Sequence, residues 1–144
     1  MTKKTKTLLI GNFDGVHTGH QSLITFAKKV ASNSSTELLV VTFNPHPREI
    51  ILGKKIDLIL PYSEKIKLLK DYSINNIEEI NFNKDISTMS PEDFIEKFLE
   101  DKGTLNIVVG SDFKFGFNAS GNIDTLKYYK NSKFNVFPVD LEFL

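Results

Sequence analysis

The sequence has 144 residues, 40% of them hydrophobic and 25% charged, a composition typical of one globular domain of ordinary size. Lysine plus arginine equals aspartate plus glutamate, 18 against 18, so no basic field favours a nucleic-acid partner. The absence of cysteine excludes disulfides, cysteine-based zinc sites and thiol nucleophiles. No apolar run approaches the ~20 residues of a membrane span, and no signal-peptide core follows the amino terminus. We therefore expect a single cytoplasmic domain over residues 1–144 with no membrane partner.

The first third of the chain alternates apolar runs with a helical period. Residues 7–13 form an apolar run that stops in a glycine-rich turn, which predicts a buried strand. Apolar residues at the spacing i, i+3, i+4 predict an amphipathic helix over 19–31. Residues Glu37–Phe43 predict a second buried strand, which the prolines of the segment 44–47 must end.

The same alternation continues to the end of the chain. A helix is predicted over 62–72, and a further helix begins at Ser90, which suits an N-cap, with Pro91 at its first position. The remaining predicted elements are a helix over 123–130 and strands over 77–82, 105–109 and 134–139.

Apolar strands that alternate with helices favour an α/β fold, a doubly wound parallel sheet of about five strands with helices on both faces. Ligands of such sheets bind beyond the carboxyl ends of the strands, where the strand order reverses. By this rule, the candidate ligand-binding segments are those after Phe13, Phe43 and Val109.

The segment from Gly11 to His20 joins the first strand to the first helix. It matches neither the phosphate-binding loop GxxxxGK[ST] nor the dinucleotide motif GxGxxG. His17 and His20 are three residues apart in the first helical turn, whose free amides favour an anion. Gly15 and Gly19 would let the backbone approach a phosphate closely. The alternative is a pair of surface or capping histidines.

The segment from Asn44 to Arg48 follows the second strand. It is either a stiff loop in which the prolines only set direction, or a rigid wall of a pocket. In the second case, His46 and Arg48, the one arginine of the sequence, would supply polar contacts.

Charged residues flanked by glycines follow the fourth strand. Asp112 and Lys114 are the candidate ligand contacts there, whereas the alternating Phe113, Phe115 and Phe117 suit either core packing or a stacking surface. Asp14, in the first segment, either orients the glycine turn or approaches a metal ion.

All three segments resemble motifs of one enzyme family. Residues 11–21 are similar to its GxFDGVHxGHQ signature, residues 42–47 to TFxPHP and residues 109–116 to VGxDFxFG. The family is the prokaryotic bifunctional riboflavin kinase/FMN adenylyltransferase, or FAD synthetase, and the resemblance is to its adenylyltransferase half. It implies a Rossmann-like HxGH nucleotidyltransferase fold, with the riboflavin kinase domain absent from these 144 residues.

The resemblance also implies an activity, the transfer of AMP from ATP to FMN to give FAD and pyrophosphate. The FMN phosphate, with a second pKa near ~6, would attack without a general base. His17 and His20 would be the catalytic residues that contact the ATP phosphates, and Mg²⁺ would bridge the leaving pyrophosphate. The implied ATP-binding residues are Gly11, Asn12, Phe13, Asp14, Gly15, Gly19 and Gly110. The implied FMN-binding residues are Asn44, Pro45, His46, Pro47, Arg48 and Asp112.

Two alternatives remain open at the level of the sequence. One is another HxGH nucleotidyltransferase, of the cytidylyltransferase or phosphopantetheine adenylyltransferase type. The other is a non-catalytic module that binds a flavin or a nucleotide.

Overall fold

A parallel sheet lies at the centre of the computed structural model, which describes residues 4–13, 18–55, 61–129 and 133–140, with the backbone alone at 18–20 and 101. Its strands are β1 (Lys6–Ile10), β2 (Glu37–Phe43), β3 (Ile77–Ile80), β4 (Thr104–Gly110) and β5 (Asn135–Val139). The strand order is β3-β2-β1-β4-β5, and every neighbouring pair is parallel. The order reverses between β1 and β4, which is the switch point expected to bind a ligand.

The central strands are apolar on both sides because both faces of the sheet are covered. Leu8 and Leu9 are adjacent in β1, point to opposite faces and are both fully buried. Leu8 packs in one core cluster with Val41, and Leu9 packs in a second cluster with Val40 and Val108. The predicted doubly wound architecture is confirmed.

Helices supply the cover on each face. In chain order they are α1 (Thr18–Ser34), α2 (Pro47–Leu52), α3 (Tyr62–Asp71), α4 (Lys84–Ser87), α5 (Pro91–Phe94) and α6 (Ile123–Tyr128). Helices α1 and α3 bury Ile24 and Leu69 against the Leu9 face. Helix α5 continues as a π-helical turn and then a 3₁₀ turn, and buries Phe94 and Leu99 with Leu126 of α6 against the other face. Among the described residues, no helix is both long and apolar enough to cross a bilayer.

Strong local signals predicted several of these elements closely. Strand β2 has the predicted bounds, and the helix expected over 19–31 is present as the slightly longer α1. The predicted start of α5 is confirmed, because the Ser90 hydroxyl accepts a hydrogen bond from the Asp93 N–H at 3.1 Å. The strands expected over 105–109 and 134–139 are β4 and β5, each displaced by no more than a residue at either end.

Other predicted bounds were wrong. Strand β1 ends at Ile10 rather than at 13, because the chain leaves the ladder there and Phe13 has a left-handed φ of 51°. Strand β3 ends at Ile80 rather than at 82, and α6 ends at Tyr128, while residue 130 lies outside the described residues. Helices α2 and α4 were not predicted, since six and four residues are too few to show a helical period.

We expect Leu8→Ala to lower the free energy of unfolding by about 2–5 kcal/mol, because it removes a fully buried side chain and leaves a cavity. Leu52→Ala is the matched control, since Leu52 is 49% exposed. Urea unfolding of both variants would measure the difference. Equal losses for the two variants would contradict the packing described above.

Candidate functional site

The three segments singled out by the sequence meet at the carboxyl edge of the sheet. Each begins with an amide that still bonds to the neighbouring strand. The Gly11 N–H donates to the Val41 carbonyl at 3.1 Å, and the Asn44 N–H donates to the Ile80 carbonyl at 3.0 Å. The Ser111 N–H donates to the Val139 carbonyl at 2.8 Å. Beyond these bonds the backbone is released from the ladder and is available for a ligand site.

The first segment is tightly packed as far as the structure describes it. A Cβ on Gly11 would lie 3.1 Å from the Phe13 ring, so a larger residue would displace that ring. The Phe13 ring is itself 3% exposed. Asp14, Gly15 and His17, which the sequence analysis placed in this site, lie outside the described residues.

The first helical turn follows at Thr18. Gly19 and His20 belong to the backbone of α1, a helix of 17 residues that begins at this edge of the sheet. The free amides at its start, together with the helix dipole, suit an anion. The His20 side chain lies outside the described part of the structure.

A buried lysine that the sequence analysis had not selected holds the turn between β1 and α1. Lys65 of α3 is 6% exposed, and its Nζ donates to the Asn12 carbonyl at 2.7 Å and to the Thr42 hydroxyl at 3.0 Å. The Nζ also lies 4.8 Å from the centroid of the Tyr62 ring. Lys65 is four residues before the buried Leu69, so the helical period of α3 was the sequence signal that could have found it.

A carboxylate fixes the first residue of the second segment. Glu79 accepts hydrogen bonds from the Asn44 side-chain amide at 3.2 Å and from the Tyr62 hydroxyl at 2.9 Å. Burial, and after it the hydrogen bond and charge of Glu79, raise the pKa of Tyr62 above its ordinary value. The peptide bond between Asn44 and Pro45 is cis.

The rest of this segment opens helix α2 instead of forming a loop. His46 is the N-cap, and its Nδ1 accepts a hydrogen bond from the Arg48 N–H at 3.1 Å. Pro47 occupies the first turn and faces a cavity, whereas the Arg48 side chain is exposed.

A cavity of about 610 Å³ opens at this edge of the sheet. Its size and its apolar walls with a few polar groups are typical of a small-molecule site. The aromatic wall consists of Phe43, Phe82, Phe94, Phe113, Phe115 and Phe117. Aliphatic and polar groups complete it, namely Asn12, Pro47, Ile50, Ile51, Lys84, Ile86, Ser87, Thr88, Lys114, Gly116, Asn118 and Ala119.

All three alternating phenylalanines line the cavity, and Phe115 also belongs to the core. Phe115 is 7% exposed and belongs to the core, and its ring stacks on Phe113 with centroids 5.5 Å apart and planes 19° apart. Phe117 is 50% exposed at the mouth of the cavity, where Ile51 is 67% exposed. Phe115 is thus shared by the core and the cavity wall, whereas Phe117 gives the cavity an exposed aromatic ring.

A left-handed turn shapes the wall after Phe115. Gly116 has a φ of 79°, and a Cβ there would lie 2.8 Å from Pro91. Asn118 and Ala119 also have left-handed φ values, 53° and 55°. Such a backbone costs about 1–3 kcal/mol at each non-glycine residue, so the surrounding contacts must hold it. One of them is the Phe117 N–H, which donates to the Met89 carbonyl at 2.9 Å.

The structure separates the residues predicted after β4. Gly110 is the last residue of that strand and pairs with Val139. Asp112 is exposed and does not line the cavity, whereas Lys114 does. The cavity residues of α4 and α5 lie outside the three motif segments, and Phe43 of β2, which lies within the second, was not predicted as a ligand contact.

No group of three histidine, aspartate or glutamate residues that could hold a metal ion occurs in the described ranges. Mg²⁺ commonly takes one or two protein carboxylates together with substrate phosphates, and the described residues form no site made by protein alone.

Comparison with known proteins identifies the family. The sequence profile of FAD synthetase matches residues 1–141. The chain belongs to the FAD synthetase family. The resemblance of the three segments is thereby confirmed.

The relatives of this FAD synthetase family member are longer proteins than the present chain. It is 38% identical over 120 residues to the bifunctional riboflavin kinase/FMN adenylyltransferase of Buchnera aphidicola subsp. Acyrthosiphon pisum, covering 82% of this chain and 38% of that protein. It is 32% identical over 126 residues to the FAD synthetase of Listeria monocytogenes serovar 1/2a, covering 86% of this chain and 51% of that protein. The chain thus spans about half or less of the length of these relatives.

A solved structure supports the fold assigned to this FAD synthetase family chain. The crystal structure of a macrolide-efflux protein from Streptococcus pneumoniae superposes with a TM-score of 0.80 at 25% identity. The match covers 97% of this chain and 46% of that one.

We expect Tyr62→Phe to lower the free energy of unfolding at pH 8, because Glu79 loses a donor. The difference from wild type should shrink as pH rises above about 10, the ordinary pKa of tyrosine. Above that pH the unfolded hydroxyl ionises while the raised pKa keeps the folded one protonated, so the contribution of Tyr62 is lost.

Urea unfolding at pH 8 and above pH ~10 would measure this difference. Tyr128→Phe removes a hydroxyl from a ring that is 75% exposed and is the control at pH 8. A difference between Tyr62→Phe and wild type that grows with pH would contradict the hydrogen bond.

Proposed function

We propose that this chain is an FMN adenylyltransferase, which transfers AMP from ATP to FMN and releases pyrophosphate. The observation that carries the proposal is the aromatic cavity of about 610 Å³ beside the turn that leads into α1. A flavin needs a flat apolar site, a triphosphate needs helix amides and cations, and the carboxyl edge of this sheet offers both.

We assign the flavin to the aromatic cavity. Phe113 and Phe115 present stacked rings to it, and offset stacking is the favoured arrangement of flat aromatic groups. Lys84 and Lys114 add positive charge for an anionic substrate. The proposed FMN-binding residues remain Asn44, Pro45, His46, Pro47, Arg48 and Asp112, of which Pro47 lines the cavity.

We assign ATP to the turn between β1 and α1 and to the start of α1. Gly110 is next to this turn across the sheet, because Ile10 pairs with Val109. His17 and His20 are proposed to contact the triphosphate and to stabilise the leaving pyrophosphate. The other proposed ATP-binding residues are Gly11, Asn12, Phe13, Asp14, Gly15, Gly19 and Gly110.

The reaction depends on the relative placement of FMN and ATP more than on proton transfer. An oxygen of the FMN phosphate forms a bond to the α-phosphorus of ATP, the bond from that phosphorus to the bridging oxygen breaks, and pyrophosphate leaves. With a second pKa near ~6 the FMN phosphate is already mostly ionised, so no base is required. The protein must therefore hold two anions in line and stabilise the charge that develops. Mg²⁺ is proposed to arrive with ATP, and no described residue is assigned to it.

Incubation of the chain with FMN, ATP and Mg²⁺, followed by chromatography for FAD, tests the activity. We expect His20→Ala to lower turnover by about 10²–10³-fold, because one donor to the developing charge is lost. FMN affinity, measured by quenching of flavin fluorescence, should change by less than about threefold. Unchanged turnover would refute the role of His20.

Two results would favour the alternatives. FMN binding without FAD formation by the wild-type chain would indicate a non-catalytic module. A preference for CTP, or for a phosphate substrate other than FMN, would indicate another nucleotidyltransferase.

We expect Phe113→Ala to weaken FMN binding by about 10-fold, since it removes one ring of the stacked pair in the cavity wall. Phe26→Ala is the matched control, because Phe26 lies on α1, contacts Phe137 and does not line the cavity. Fluorescence titration with FMN would compare the two variants. Equal affinities would place the flavin elsewhere.

A further inference from the structure

We propose that Lys65 is a positioning residue for nucleotidyl transfer. It holds residues 11–13, the Asn12 turn, so that both substrates meet in line. The proposal rests on the function proposed above. Lys65 is not among the residues that line the cavity assigned to FMN, and its charged group acts through the carbonyl of Asn12, a residue assigned to the ATP site.

The ammonium group of Lys65 lies in the interior of the fold. A lysine is rarely buried, because a charge removed from water needs close polar partners. Lys65 is 6% exposed, and its Nζ joins an irregular backbone carbonyl at Asn12 to the Thr42 side chain of β2. An apolar side chain would fill this space with no charge to desolvate. Such a side chain could not donate a hydrogen bond to the Asn12 carbonyl, as Lys65 does.

Asn12 belongs to both halves of the proposed site. Asn12 is itself assigned to ATP, and it also lines the cavity assigned to FMN. The Asn12 Oδ1 is buried and has no hydrogen-bond partner among the described residues. No hydrogen bond to Oδ1 from a described residue therefore fixes Asn12, whereas the bond from Lys65 holds its backbone carbonyl.

The elements that support Lys65 are packed in the core. Thr42 is fully buried in β2, the strand that pairs directly with β1. Leu69, which is on helix α3 together with Lys65, is fully buried against the sheet. Lys65 therefore ties the turn to the packed core, and release of the turn would change the distance between the two substrates. A displacement of about 1 Å can cost on the order of 10²-fold in rate.

The test compares Lys65→Met with Lys67→Met. Methionine keeps most of the length of lysine but has no charge and no donor, and Lys67 is an exposed lysine on the same helix. In the absence of substrates, amide hydrogen exchange of residues 11–13 should become about 10-fold faster in Lys65→Met and remain unchanged in Lys67→Met. This readout does not depend on catalysis.

The kinetic readout is the split between kcat and KM. For Lys65→Met we expect kcat to fall by about 10–100-fold, while KM for FMN and for ATP changes by less than about threefold. The FMN-binding stoichiometry should stay that of wild type, which shows that the loss is not a loss of folded protein. Equal kcat in Lys65→Met and wild type, or unchanged exchange at residues 11–13, would overturn the proposal.

A second pair of variants decides the matter if Lys65→Met does not fold. Thr42→Val removes one acceptor of Lys65 at nearly constant volume, and Thr42→Ser keeps the hydroxyl. We expect faster amide exchange at residues 11–13 and a lower kcat for Thr42→Val than for Thr42→Ser. Equal values for the two variants would contradict the proposal. A wild-type chain that forms no FAD would instead refute the proposed function, and the exchange data would still decide whether Lys65 holds the turn.

Discussion

The burial of the central strands β1 and β4 on both faces of the sheet is the constraint on which the site depends. Because helices cover both faces of β1 and β4, the only backbone that can leave the ladder for a ligand is at the strand ends. The reversal of strand order between β1 and β4 separates the covering helices at the carboxyl edge. The cavity, the start of α1 and the Asn12 turn all occur there for this one reason.

The two proposed substrate sites use different physical interactions. The flavin side relies on apolar contact, with rings of the core such as Phe94 and Phe115 also forming the cavity wall. The nucleotide side relies on backbone amides and cations next to a helix start. Asn12 is common to both, so the way in which Lys65 and Thr42 support it connects the packing of α3 with the geometry of the reaction.

The sequence predicted what depends on short-range patterns. The apolar period of α1, the proline stop after β2 and the cap at Ser90 are local signals, and the structure has all three. The family motifs marked three strand ends correctly, but the cavity wall also uses residues of α4 and α5 that are distant in sequence from these segments and lie outside the motifs. Their meeting depends on tertiary packing. The role of His46 as a cap likewise depends on α2, a helix too short to show a period.

The left-handed residues after Phe115 have a consequence for how this chain can change. Ala119 holds a backbone shape that glycine would adopt with less strain, and Gly116 has no room for any side chain beside Pro91. Selection for thermal stability alone would therefore favour glycine at position 119. Glycine at position 119 would also make the backbone at the mouth of the cavity less rigid. Thermal stability and discrimination between ligands would therefore favour different residues at this position.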